Sequence, residues 1–235
     1  MTETALIVGA GQGLSAALAR AFAGAGMTVA LAARKPDKLA GLAAETGARA
    51  YACDAGDAAS VAALFDALDG DLGDGRGGPD VVVYNPSRRL PGPLVDLDPA
   101  KVEGLIRVTC FGGFLVGQQA ARRMLAKGAG SILFTGASAS VKGYPEHASF
   151  AMGKFGLRGL AQSMARELAP KNIHVAHFVI DGRIAPPGGA EDASAAEPES
   201  MLDPAAIAET YLAIHRQPRS AWTWEVELRP WVETF

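Results

Sequence analysis

Short β-branched apolar runs alternate along this chain with longer Ala- and Leu-rich stretches whose apolar positions recur at helical spacing. Strands buried on both faces read as continuous apolar runs, so the alternation predicts a parallel sheet covered by helices on both sides. Strands are predicted at 5–8, 28–32, 49–53, 80–84, 131–135 and 173–180, and helices at 15–25, 38–46 (ended by Gly47) and 58–68. Asp98-Pro99 supplies N-cap and first-turn signals for one long helix over 100–127. A second long helix over 149–168 is stopped by Pro170, and Asp203-Pro204 opens another. Residues 224–228 alternate apolar with acidic and predict a final edge strand. The Gly- and Asp-rich stretch 71–79 reads as a surface turn. Residues 184–202, rich in Pro, Gly, Ala and Glu without a period, are expected to form a flexible flap over the substrate. No repeat or boundary divides residues 1–235, so one domain is expected, with 218–235 carrying the last strand and an aromatic tail.

Composition narrows the class. The chain has 235 residues, 49% of them hydrophobic and 20% charged, with a net charge of -3. That is enough length for a sizeable core and gives no electrostatic case for a nucleic-acid partner. Cys53 and Cys110 lack metal-ligand spacing and read as apolar residues of a reducing compartment, and no metal site is expected. The N-terminus has no basic segment before its short apolar run, and no stretch approaches the length of a membrane span. A cytoplasmic location is expected.

Gly9-Ala10-Gly11-Gln12-Gly13-Leu14-Ser15 follows the first strand directly and opens the first helix. Glycine lets backbone approach a pyrophosphate, and the N–H groups of the helix start attract its charge. The strand–turn–helix context makes this a dinucleotide loop rather than a bare glycine cluster. Gly9, Gly11, Gln12, Gly13 and Leu14 are therefore candidate cofactor contacts. At the end of the second strand, Arg34 and Lys35 stand where an acidic residue would bind a ribose 2′-hydroxyl. Cations there suit a 2′-phosphate, which favours NADP over NAD; the alternative is that both are solvated loop charges. Asp54, after the third strand, is a candidate acceptor for an adenine amino group or an exposed turn residue.

Taken together, these features resemble the short-chain dehydrogenase/reductase family from Ala5 to about Leu228. Asp80-Val81-Val82-Val83-Tyr84-Asn85-Pro86-Ser87 is similar to the family's Asp-x-x-Val-Asn-Asn-Ala-Gly segment. Gly130-Ser131-Ile132, Lys154 with Gly156-Leu157, and Ala165-Arg166-Glu167-Leu168 before Ile173-His174-Val175 also fit. The resemblance implies a Rossmann-like, doubly wound parallel sheet of about seven strands with helices on both faces. It also implies a nicotinamide cofactor, with Asn85, Lys154, Gly182 and Ile184 among its contacts. The two long helices correspond to those that pair across the family's dimer interface, so a homodimer or homotetramer is expected.

The family's catalytic Asn, Ser, Tyr and Lys fall on Thr109, Ala137, Phe150 and Lys154, so only the lysine is kept. Phe150 and Lys154 share a helix face at i and i+4, but a phenyl ring has no proton to give. This chain resembles a divergent subgroup with phenylalanine at that position. Ser138 or Ser140 could replace the lost serine if the loop is reshaped. Tyr144 and His147 lie on the loop that borders substrate in the family and are either substitute donors or pocket lining. Phe150 reads as an apolar wall and Lys154 as a ligand of the nicotinamide ribose, while His174 and His177 read as packed residues. Trp222, Trp224, Trp231 and Phe235 either dock on a neighbouring subunit, the favoured reading, or close this subunit's core. The expected function is an NADP(H)-dependent oxidoreductase of unknown small organic substrate with a non-standard site. The alternative is a nucleotide-binding pseudoenzyme with a regulatory or partner-binding role.

Overall fold

The structure, a computed structural model, describes residues 2–71, 78–186 and 200–233. The middle of the expected turn at 71–79 and most of the expected flap, 187–199, lie outside the described residues, as does Phe235. In chain order the elements are β1 (Thr4–Val8), α1 (Leu14–Gly24), β2 (Thr28–Ala33), α2 (Ala40–Thr46), β3 (Arg49–Ala52) and α3 (Ala58–Asp71). After them come β4 (Val81–Tyr84), α4 (Pro99–Ile106), α5 (Gly112–Lys127), β5 (Gly130–Thr135), α6 (Ala148–Leu168) and β6 (Ile173–Ile180). The chain ends with β7 (Arg183–Ile184), β8 (Met201–Leu202), α7 (Pro204–His215) and β9 (Glu225–Leu228).

Seven strands pair in the order β3-β2-β1-β4-β5-β6-β9, every neighbour parallel. Alternate side chains of one strand feed opposite layers. Leu6 and Val8 of β1 pack with α3, α5 and α6, through residues such as Phe65, Val116 and Leu157. Ala5 and Ile7 face the other way, onto Phe22 of α1 and Tyr211 of α7. Both faces are dry, which is why these strands carry no polar alternation. Asp98 caps α4 by accepting the Ala100 N–H at 2.9 Å, and Asp203 caps α7 through Ala205 N–H at 2.9 Å.

Three departures from the sequence expectations bear on function. The helix expected over 100–127 is broken by a π turn at Arg107–Phe111 between α4 and α5. There the Tyr84 hydroxyl donates to the Val108 carbonyl, and a donor inserted into the helical ladder widens it. The helix expected over 38–46 begins as a 3₁₀ turn, Pro36–Leu39. The aromatic tail, expected to dock on another subunit, is used mostly at home. Trp222 stacks on His174 with centroids 4.6 Å apart, and Trp224 packs against the α6 side of the core. The β6–β9 pairing draws both indoles back onto the sheet edge. Trp231 alone of the three is exposed.

Candidate active site

The strand order reverses between β1 and β4, and a crevice forms at the carboxyl ends of an open parallel sheet where this happens. A cleft of about 820 Å³ lies there, in the range of small-molecule sites. Gly9, Gly11, Gln12, Arg34, Lys35, Asp54 and Asn85 all line it. Gly9 has φ +82°, and a Cβ on it would fall 2.7 Å from Pro86, so only glycine fits. Ser15 Oγ donates to the Gly9 carbonyl at 3.1 Å, and Asn85 Nδ2 donates to Ser15 Oγ at 2.7 Å. These two bonds fix the loop, so the side chain of Asn85 buttresses the cradle from behind. A Cβ on Gly11 or Gly13 would meet nothing within 4 Å, which leaves the loop backbone open to a ligand. Gly13 borders a second cavity on the far side of Gln12, while the Leu14 side chain is buried in the core below. What Leu14 can offer a ligand is its backbone N–H in the first turn of α1.

Arg34 and Lys35 are exposed on the rim, joined by Lys38. No carboxylate lies within ion-pair distance of any of the three among the described residues. Asp54 Oδ1 accepts the Gly56 N–H at 2.9 Å, which steadies the turn after β3. A closed glycine cradle, an open face above it and an unpaired cationic rim fit a phosphorylated dinucleotide.

Arg89, one residue after the cleft-lining Arg88, lies over Phe150 of α6, and Lys154 follows one turn on. Phe150 is buried and forms a small apolar cluster with Ala137 and Ala139. The two positions where the resemblance expects serine and tyrosine therefore do face each other, as an apolar pair. Lys154 is 2% exposed, and its Nζ donates to the Thr135 carbonyl at 2.7 Å and lies 5.9 Å from the Phe150 ring centroid. Burial, aided by the Arg89 charge, pushes the ammonium down to about 7. Thr109, in the π turn, is fully buried against Gly153, and its Oγ1 has no hydrogen-bond partner among the described residues.

The alternative donors stand differently. Ser140 is buried and its Oγ accepts the Ala137 N–H at 3.1 Å, so it caps its own loop. Ser138 is half-buried at the start of the same 3₁₀ turn. Tyr144 is exposed, and His147 Nδ1 lies 2.8 Å from the Pro145 carbonyl. His174 and His177 are packed as expected; burial pushes His177 down to about 4, with Glu225 Oε2 3.1 Å from its Nδ1. Gly182 is wedged against Pro230, and Ile184 pairs with Leu202 in β7–β8, so neither lines the cleft. Sequence reasoning missed the Ser15–Asn85 buttress, the rim cation Lys38, and Arg88 and Arg89. The adjacent arginines after β4 were the available signal for the last two.

The family model for short chain dehydrogenase matches residues 3–186. D-threitol dehydrogenase of Mycolicibacterium smegmatis is 29% identical over 178 residues, covering 74% of this chain and 67% of that protein. Cis-4-hydroxycyclohexanecarboxylate dehydrogenase of Sinomonas cyclohexanicum is 32% identical over 178 residues, covering 74% and 70%. A short-chain dehydrogenase structure from Rhodopseudomonas palustris superposes with a TM-score of 0.83 at 38% identity, covering 97% of this chain and 99% of that one. A metagenomic short-chain oxidoreductase solved in complex with NADP gives 0.83 at 27% identity, covering 97% of each. A match that spans most of the chain and agrees with its strand order leaves one assignment: the chain belongs to the short-chain dehydrogenase/reductase family.

Proposed function

We propose that the protein is an NADP(H)-dependent oxidoreductase acting on a small organic substrate, with a proton-handling centre that departs from the family's serine–tyrosine pair. The observation that carries this reading is the cleft at the β1/β4 reversal, with its glycine cradle and with Arg34 and Lys35 on a rim that meets no carboxylate among the described residues. The NADP complex of a relative with the same fold supports it. Bound NADP(H) supplies or accepts the hydride. Backbone N–H groups from Gly11 to Leu14 hold the pyrophosphate at the start of α1. Arg34 and Lys35 hold the 2′-phosphate, and Asp54 borders the adenine. Lys154 hydrogen-bonds the ribose hydroxyls next to the nicotinamide. Gly182 and Ile184, after β6, pack against Pro230 and Leu202 and would not touch a cofactor held in this cleft.

Phe150, Ala137 and Ala139 form a dry floor that excludes water from the reacting atoms. Phe150 exchanges no proton. The ionisable groups retained nearby are Lys154 at the floor and Tyr144 and His147 on the bordering loop. Burial lowers the Lys154 ammonium well below the ordinary lysine value, so Nζ gives up a proton more readily than an exposed lysine. Thr109 and Ser138 flank this floor as hydroxyls in the places nearest the family's asparagine and serine. The exposed faces of Phe111 in the π turn, Phe114 on α5, and Met152 and Phe155 on α6 offer apolar surface suited to a second copy of the chain.

NADPH oxidation with a panel of aldehydes and ketones tests the reading in wild type and Lys154→Met. Turnover in wild type that falls by roughly 100-fold or more in Lys154→Met is expected. Tight NADPH binding with no turnover on any substrate would instead favour a nucleotide-binding protein without catalysis.

A further inference from the structure

We infer that Arg89 anchors an acidic group on the substrate, so that this site takes a carboxylate- or phosphate-bearing carbonyl compound or alcohol. The inference rests on the oxidoreductase reading and adds the chemical class of its substrate.

The guanidinium carbon of Arg89 lies 4.9 Å from the centroid of the Phe150 ring, on the apolar floor where the family's tyrosine would stand. Lys154 Nζ lies 5.9 Å from the same centroid. Two cations therefore approach one phenyl ring, and no carboxylate lies within 4.0 Å of Arg89 among the described residues. The cost of that arrangement is visible at Lys154, where burial and the Arg89 charge together push the ammonium down. An unpaired guanidinium set above a dry floor beside a buried amine is a half-site that an anion would complete.

The backbone just after Arg89 is tied down twice. Ser149, fully buried at the start of α6, donates to the Leu90 carbonyl at 3.0 Å, and the Gly92 N–H donates to the Glu146 carbonyl at 2.9 Å. Arg89 is thus presented from the cofactor side toward the α6 floor by a fixed strap. On the oxidoreductase reading the cofactor phosphates would be held by the glycine loop and the Arg34–Lys35 rim, which line the cleft without Arg89. Arg88 lines the cofactor cleft, whereas Arg89, one residue on, covers Phe150. A phosphate and a carboxylate share the chemistry Arg89 would recognise, so the test includes both.

Calorimetric titration of wild type, Arg89→Leu and Arg89→Lys with NADPH comes first and establishes that the cofactor site is intact; failure there counts against the oxidoreductase reading, not this one. Protein saturated with NADP⁺ is then titrated with charged and neutral twins: 4-oxocyclohexanecarboxylate against its methyl ester, and dihydroxyacetone phosphate against dihydroxyacetone. One anion at least is expected to bind wild type roughly 10- to 100-fold more tightly than its neutral twin. Arg89→Leu should abolish that preference, Arg89→Lys should keep part of it, and NADPH affinity should stay within about twofold of wild type. Equal binding of the twins, no binding of either anion, or a preference that survives Arg89→Leu would overturn the inference. So would a loss in Arg89→Leu confined to NADPH affinity, which would make Arg89 a cofactor ligand.

Discussion

At the scale of single residues, the site is defined by what surrounds Lys154. Phe150 and Ala137 meet as an apolar pair, and Thr109 buries a hydroxyl that has no partner among the described residues. Members of a catalytic unit act non-additively, so one restored hydroxyl should do little. Phe150→Tyr alone should leave ketone reduction near the wild-type level, while Thr109→Asn with Ala137→Ser and Phe150→Tyr should exceed the sum of the single changes. NADPH oxidation across a ketone panel decides it, and turnover of several per second from Phe150→Tyr alone would mean that the pocket had changed only at that ring. Lys154 makes a separate prediction through stability. Its folded value of about 7 lies below the ordinary 10.5, so between those values the unfolded chain binds the extra proton. Stability from this group therefore rises with pH across that window and is lost as pH falls toward 7. Thermal midpoints of the cofactor-free protein should rise for wild type relative to Lys154→Met between pH 7 and about pH 10. Curves that stay parallel would show that Lys154 is not desolvated.

At this scale the identities were legible and the partners were not. That Phe150 has no proton is plain from its letter. That Asn85 bonds Ser15 depends on a contact across 70 positions of chain that no local pattern encodes, and that Ser140 is spent on the Ala137 N–H, three positions back, depends on the path its own turn takes. Arg89 shows the same limit, since an exposed arginine after a strand reads as a solvated charge until Phe150 appears beneath it.

Elements were read well wherever the apolar pattern is strong, because burial on two faces writes itself into β4, β6 and all of β1 after Thr4. The π turn at Arg107–Phe111 escaped because it is induced from outside, by the Tyr84 hydroxyl on the Val108 carbonyl. Its neighbourhood matters for assembly. A Cβ on Gly156 would lie 2.7 Å from Cys110 Sγ, so α6 crosses close over the turn, and Met152 and Phe155 on α6 are exposed, as are Phe111 and Phe114. Phe111 and Phe114 stack at 5.9 Å in solvent. These four side chains, rather than the tryptophans of the tail, are the better candidates for a subunit interface. Sedimentation should show wild type as a dimer or tetramer at micromolar concentration and Phe114→Glu with Phe155→Glu as a folded monomer. A double variant that sediments like wild type would place the interface elsewhere.

For the whole molecule, the strand order and the glycine loop converge on one crevice, and its cationic rim sets which cofactor it prefers. The fold expected from the alternation of strands and helices is the one observed, with seven parallel strands and the reversal beside β1. What the sequence could not supply was the empty space: that the cleft stays open above Gly11, and that its rim cations meet no acid among the described residues. Those two facts turn a motif into a prediction about charge. The direct measurement is calorimetric titration of wild type and Arg34→Ala with NADPH and with NADH. Wild type should prefer NADPH, and Arg34→Ala should lose on the order of 1.5–3 kcal/mol of NADPH binding with NADH affinity unchanged. Equal affinity of wild type for the two cofactors would contradict the account.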